Sequence, residues 1–179
     1  MPSLPRFSIR PVADADLAAI TAIYGEAVRE GTASFELEPP SLDEMSRRRA
    51  ALLAGGHPYL VAISDTDAVL GYAYAGPYRA RPAYRWTIED SIYLAAEARG
   101  AGVGRALLAA LLAAATEAGY RQMIAVIGDS GNAASIALHR ALGFRLVGTF
   151  QNVGFKHGRW LDSVLMQCAL GSGAALPPP

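Results

Sequence analysis

The chain has 179 residues, 52% of them hydrophobic, and its 16 basic and 16 acidic side chains cancel at pH 7. That length suits one domain burying roughly two-thirds of its unfolded surface, and the balanced charge gives no global field to recruit nucleic acid or an anionic membrane. The single Cys168 excludes an intramolecular disulfide and a multi-cysteine zinc site, and in the run Val164 to Leu170 it reads as a core thiol.

Met1 to Arg6 carries no long apolar core, and no stretch of ~18 apolar residues follows, so a soluble, cytoplasmic protein is expected. Phe7 to Val12 predicts a short strand. Asp14 or Asp16 can then cap a helix whose Leu17, Ile20, Tyr24, Ala27 and Val28 recur at helical spacing. Gly31 to Pro40 is expected to be a loop. Ser41-Leu42-Asp43-Glu44 has the capping-box pattern and opens a second helix through Leu53, stopped by Gly55-Gly56. Tyr59 to Ile63 and Val69 to Ala75 read as hairpin strands across the polar turn Ser64 to Asp67, and Pro77 to Pro82 interrupts the sheet.

Thr87 to Leu94 is the next strand, followed by a glycine-rich turn and a helix to about Ala118, with Gly119-Tyr120 as its stop. Met123 to Ile127 is a strand, and Asn132 to Leu142 a short helix ended by Gly143. Phe144 to Phe150 and Leu161 to Leu170 give two last strands around a turn at Gly154 to Gly158. Residues 1–170 therefore form one domain, and 171–179, with neither periodicity nor sheet donors at its prolines, is expected to be a disordered tail. The order β-α-α-β-β-β-α-β-α-β-β specifies an α/β (α+β) fold, a mixed central sheet flanked by helices.

The junction Arg99-Gly100-Ala101-Gly102-Val103-Gly104-Arg105, between a strand and a helix, is where an anion should sit. Glycines allow close backbone approach, while the first N–H groups of the helix, its dipole and the flanking arginines favour phosphate. A nucleoside-triphosphate loop needs a Gly-Lys pair, and none occurs in the chain; a dinucleotide fingerprint needs Gly-x-Gly-x-x-Gly, whereas these glycines alternate. What remains, Arg-x-x-Gly-x-Gly after a strand, resembles the coenzyme A pyrophosphate loop of the GCN5-related N-acetyltransferase (GNAT) superfamily; a glycine-rich turn capping a surface helix is the plainer alternative.

A second constellation lies downstream. Asn132, Ser135 and His139 form one polar stripe on a helix beside Leu138 and Leu142. Taken alone, Asn132 is an N-cap and Ser135 a surface residue. Followed by Gly143-Phe144, the run is similar to the helix of the same superfamily that borders the coenzyme's thiol end. Further segments, Ala75 to Arg81, Tyr84 to Glu89, Ala125 to Gly128 and Gly154 to Trp160, resemble the phosphinothricin N-acetyltransferases and their relatives acting on methionine sulfoximine and methionine sulfone.

That resemblance implies transfer of acetyl from acetyl-CoA to the α-amine of a small amino-acid analogue, by direct attack in a ternary complex and without a metal. Backbone N–H groups of Gly100, Ala101, Gly102, Val103, Gly104 and Arg105 would hold the pyrophosphate, with charge from Arg99 and Arg105. By resemblance, the edge of Ile92-Tyr93-Leu94 pairs with the pantetheine, leaving a donor for the thioester oxygen, and Asn132 and Ser135 reach the coenzyme. Glu89 is an acid in mid-strand, where an isolated carboxylate is costly unless paired or used. It reads as the general base, or alternatively as an anchor for Arg85. Asp90, its rival, faces the opposite way on the strand, and the family pattern favours Glu89.

His139 stands where many members of the superfamily have a tyrosine presumed to protonate the thiolate, so His139 and Glu89 share the proton work in proportions left open, with a packing histidine as the alternative. Arg79, Arg81 and Arg85 with Tyr78, Tyr84 and Trp86 combine guanidinium forks for a carboxylate or phosphinate with aromatic walls, unless they are only a solvated basic loop. The resemblance adds Pro82-Ala83-Tyr84 as substrate contacts, the loop around Phe35-Glu36 as a lid, and a homodimer. Two other functions stay open. One is acetylation of another amine, a polyamine or a protein N-terminus; the other is acyl-CoA sensing without turnover.

Overall fold

The computed structural model describes residues 6–178. Among them, helices and strands follow the order read from the sequence: β1 (Phe7–Pro11), α1 (Leu17–Glu30), α2 (Leu42–Ala54), β2 (Tyr59–Ser64), β3 (Val69–Pro77), β4 (Thr87–Leu94), α3 (Val103–Glu117), β5 (Gln122–Gly128), α4 (Ala133–Ala141), β6 (Arg145–Lys156) and β7 (Arg159–Ala169). The strands form one sheet in the order β1-β2-β3-β4-β5-β7-β6. Every neighbouring pair is antiparallel except β4–β5, which α3 joins as a parallel crossover.

Each sheet face has its own core. Val103, Leu107, Leu111 and Ala115, spaced four apart on α3, bury one stripe with Leu108 against Ala62, Ala73, Ile88 and Met123. On the other face Ile20, Tyr24 and Val28 of α1 and Met45 of α2 pack on Tyr59, Val61 and Tyr72. Leu107 and Leu111 are fully buried, so truncating either to alanine costs about 2–5 kcal/mol. β4 runs between the two cores, and its alternation sends Ile88, Ile92 and Leu94 to the α3 side and Tyr93 to the α1 side.

Local details depart from the sequence reading for identifiable reasons. Neither Asp14 nor Asp16 caps α1: Asp16 spends its carboxylate on the Arg10 guanidinium, at 2.7 and 2.8 Å, and on the Ala13 N–H. This ion pair holds the Asp16 carboxyl below its ordinary range. Ser41 does cap α2 by accepting from the Glu44 N–H, but the Glu44 carboxylate turns to Arg47 and Arg48 instead of closing the box.

β6 is longer than predicted, because Gly148 and Gly154 mark register shifts in a bulged edge strand and not its end. The turn expected over Gly154 to Gly158 shrinks to His157 (φ 50) and Gly158 (φ 72), a left-handed pair suited to a tight hairpin. At the C-terminal end, the Leu170 N–H bonds the Arg121 carbonyl and the Arg121 guanidinium reaches the Ser172 hydroxyl, while Ala174 onward is exposed. Among the described residues no helix is long and apolar enough to cross a membrane.

Candidate active site

β4 and β5 stay paired only from Thr87↔Gln122 to Asp90↔Ala125 and then diverge. Beyond that point Ser91–Leu94 remain bonded to β3, and Val126–Gly128 to β7. The facing edges of the two strands have no ladder between them, so main-chain donors and acceptors turn into the gap. A cavity of about 440 Å³ opens there, lined by Ile92 and Tyr93 on one side and Ala125 to Gly128 on the other.

The glycine turn lies just past the end of β4. Gly100 (φ 77) and Gly102 (φ 82) take left-handed conformations that other residues resist, and a Cβ on either would meet nothing within 4 Å. The turn is therefore open to a bulky anion. The Ala106 N–H makes the bond to the Gly102 carbonyl that starts the α3 ladder, so the amides of Val103, Gly104 and Arg105 precede it at the positive end of the helix. Arg105 is exposed beside this end; Arg99 is exposed too, but its guanidinium already bonds Glu26 at 3.2 Å.

Two neighbouring carboxylates occupy opposite faces of β4, as strand alternation requires. Glu89 is half-buried at the cavity wall, and among the described residues none donates a hydrogen bond to its carboxylate. Burial, aided by the charge of Asp90 and opposed by that of Arg79, pushes its carboxyl up to about 6. It does not anchor Arg85, which lies over the Trp86 ring with the guanidinium carbon 5.2 Å from the centroid. Asp90 is buried and meets His139 Nε2 at 3.0 Å.

His139 is only 2% exposed, with Nδ1 2.7 Å from the Ser135 carbonyl oxygen and the Phe144 ring edge-on at 4.9 Å. Burial alone would lower its pKa, but the Asp90 carboxylate and the Ser135 carbonyl together raise it above the ordinary value. Asn132 accepts from the Ser135 N–H at 3.2 Å as the N-cap of α4, so it does the structural job open to it while also lining the cavity with Ser135 and His139.

The loop between α1 and α2 covers the cavity. Phe35 lines it while packing on Gly154, where any Cβ would collide with the ring. Lys156 is buried under this loop and donates to the Ser34 carbonyl at 2.7 Å. Tyr24 bonds both the Ser34 hydroxyl and Glu36, and Glu36 is clamped by Arg48 at 2.6 Å. Arg79, Arg81, Pro82, Ala83 and Tyr84 sit instead on the exposed segment between β3 and β4, outside the cavity lining. There Arg79 lies over the Tyr78 ring at 5.0 Å, close enough to Glu89 for its charge to be felt.

Several cavity residues escaped the sequence reading. Tyr24, Ser34, Tyr74 and Ser91 converge from α1, the loop after it, β3 and β4, and no local motif connects them. The Asp90–His139 pair did leave a trace, since strand alternation puts Asp90 on the face that an amphipathic helix must cover. Among the described residues no group of three or more His, Cys, Asp or Glu side chains is placed to share a metal ion. The Cys168 thiol is half-buried, and burial followed by the nearby Asp90 charge raises its pKa, which disfavours the thiolate.

A parallel pair that splays beside a glycine-rich helix entrance forms a cleft suited to an anionic ligand, and comparison with known proteins identifies its class. The acetyltransferase (GNAT) domain family model matches residues 9–165. The chain is 54% identical over 171 residues to a phosphinothricin N-acetyltransferase of Alcaligenes faecalis, covering 96% of this chain and 86% of that one. It is 43% identical over 170 residues to an L-methionine sulfoximine/L-methionine sulfone acetyltransferase of Pseudomonas paraeruginosa, covering 95% and 98%. The crystal structure of a GNAT superfamily phosphinothricin acetyltransferase from Sinorhizobium meliloti in complex with AcCoA superposes with a TM-score of 0.94 at 51% identity, covering 97% and 93%. The chain belongs to the GNAT acetyltransferase family. That membership makes it an acetyl-CoA-dependent N-acetyltransferase.

Proposed function

We propose that the protein acetylates the α-amine of a small amino-acid analogue of the phosphinothricin, methionine sulfoximine or methionine sulfone type, by direct attack in a ternary complex. The observation that carries the reading is the splayed β4–β5 gap, with an anion-accepting turn at one end and the unpartnered Glu89 at the other. The names of the Alcaligenes and Pseudomonas relatives supply the acceptor class.

Each chemical demand then has residues. Amides of Gly100 to Arg105, with Arg99 and Arg105, hold the pyrophosphate, and Asn132 and Ser135 border the same coenzyme. The free edge Ile92-Tyr93-Leu94 accepts the pantetheine as an added strand, and its remaining N–H stabilises the oxyanion. Glu89 withdraws the proton of the acceptor ammonium, directly or through a water; its raised pKa, about 6, suits a base working near neutrality. His139 supplies a proton to the departing sulfur.

Phe35 closes over the acceptor, Arg79 and Arg81 supply guanidinium groups for its acidic groups, and Pro82, Ala83 and Tyr84 contact it. A second copy completes the protein as a homodimer. The exposed apolar face of Phe150, Val153, Phe155 and Trp160, 54–59% accessible, is of the kind that association covers. The enzyme works in the cytoplasm without a metal, nucleic acid or membrane partner.

The test mixes purified protein and acetyl-CoA with phosphinothricin, methionine sulfoximine, methionine sulfone, ordinary amino acids and polyamines, following free thiol. Thiol release with the three analogues ahead of polyamines is the expected result. Release only with polyamines would move the assignment to another amine, and none across the panel would make the cleft a sensor.

A further inference from the structure

The contacts of His139 constrain where its protons are. A carbonyl oxygen only accepts, so the 2.7 Å contact from Nδ1 to the Ser135 carbonyl requires a hydrogen on Nδ1. On the other side Nε2 lies 3.0 Å from Asp90 Oδ2. A neutral ring already protonated at Nδ1 would point a lone pair at a carboxylate, in a site where both side chains are 2% exposed. Such a contact is repulsive and poorly screened, so one further proton must lie between the two groups. Both ring nitrogens are then engaged within the protein, and neither is free to act as a bare imidazole.

The surroundings identify the balancing charge. Among the described residues His139 is the one side chain that bonds Asp90, and Asp90 Oδ1 is buried with no partner. The other titratable groups nearby are Glu89, which faces away on the same strand, and the Cys168 thiol on β7. Neither is a cation, so the charge of Asp90 is balanced only by the proton it shares with His139.

We propose that Asp90 is a positioning residue that keeps a proton on the buried His139 ring, so that the two act as one acid at the wall of the cleft. The proposal rests on the assignment of acetyl transfer to this cleft. As the acceptor N–C bond forms and the thioester C–S bond breaks, the Ser135 hydroxyl, which lines the cavity 3.4 Å from His139 Nδ1, passes one proton from that nitrogen to the departing sulfur, and the ring is left neutral with its remaining hydrogen on Nε2 toward Asp90. The bare Nδ1 then faces the Ser135 carbonyl oxygen at 2.7 Å, and that repulsion draws a proton back. Of the two protons the acceptor ammonium loses, one replaces the proton spent and the other leaves to solvent. Glu89 and Asp90, adjacent in sequence, thus serve opposite directions of proton flow.

The deciding measurement is the ring ¹⁵N spectrum of His139 in labelled protein without coenzyme, titrated from about pH 5 to 9 in wild type and Asp90→Asn, with His139→Gln for assignment. The wild-type ring should stay doubly protonated at pH values where the Asp90→Asn ring carries hydrogen on Nδ1 alone. A wild-type ring that loses its second proton at or below the ordinary histidine pKa, or identical titrations in both proteins, would overturn the proposal. In steady-state assays Asp90→Asn should lower kcat by ~10- to 100-fold and move the alkaline limb of its pH profile to lower pH, with the KM for acetyl-CoA within about twofold.

A purely structural pair would instead change KM or Tm and leave that limb in place, which would also overturn it. If Asp90→Asn does not fold, the wild-type titration decides alone. If the wild type transfers no acetyl group in the thiol assay, the cleft assignment fails while the spectrum still judges the pair.

Discussion

On the side of the cleft we assign to the coenzyme, the working groups are backbone: the unpaired edge of β4 and the amides that open α3 after Gly102. On the acceptor side they are side chains, Glu89, the Asp90–His139 pair and Phe35, brought from distant parts of the chain. A backbone site needs only that the chain turn and stop pairing at set points, and it tolerates most side-chain changes. A side-chain site depends on desolvation, so single atoms matter. Substitutions on the two sides should therefore fail differently, one in binding and the other in turnover.

The largest effect is expected on the acceptor side. Glu89→Gln should lower turnover by ~100-fold or more, leave the KM for acetyl-CoA within about twofold, and remove the acid limb of the rate profile. That limb should lie near the carboxyl's raised value of about 6 in the wild type. A loss shared between kcat and coenzyme KM in steady-state assays would blur the distinction between the two sides.

On the coenzyme side, Gly102→Val puts a branched side chain at φ 82 and fills the open turn. Calorimetry should find acetyl-CoA affinity reduced by about 10-fold or more, since strain of about 1–2 kcal/mol adds to the lost approach, while turnover at saturating coenzyme changes little. Unchanged affinity would remove this turn from the site.

The smallest effect is on stability. Because the folded Glu89 carboxyl is raised to about 6 from 4.5, the folded chain holds that proton more tightly than the unfolded one. Its stabilising contribution is complete below the unfolded value and is lost as pH climbs through about 6. Above that pH the ionised carboxylate is a net cost, reduced by its partial exposure. Glu89→Gln should accordingly raise Tm near pH 8 by about 1–3 °C, with the gain vanishing toward pH 4.5. A fall in Tm near pH 8 would mean the carboxylate has a partner.

The same contrast explains what could be read from the amino-acid order. Among the described residues, alternation and helical spacing located the seven strands and four α-helices but not the three short 3-10 turns, and the glycine spacing located the α3 entrance, because these signals are local. What escaped was assembled at a distance. The turn signal at Gly154 belongs to a bulge, a distinction that depends on what β7 pairs with. Asp16 looked like a cap but is taken by Arg10 across the start of the fold. Asp90 faces away from Glu89, as strand alternation requires, and the face it occupies holds His139 from a helix 49 positions away. Ser34 and Lys156 meet across 122 positions, beyond any motif.

Amide hydrogen exchange with and without saturating acetyl-CoA tests most directly whether the backbone half of the cleft holds the coenzyme. Slower exchange at Ile92 to Leu94 and at Gly100 to Arg105, with β6 unchanged, is the expected outcome. Unaltered exchange in both stretches at full occupancy would contradict the assignment of that cleft.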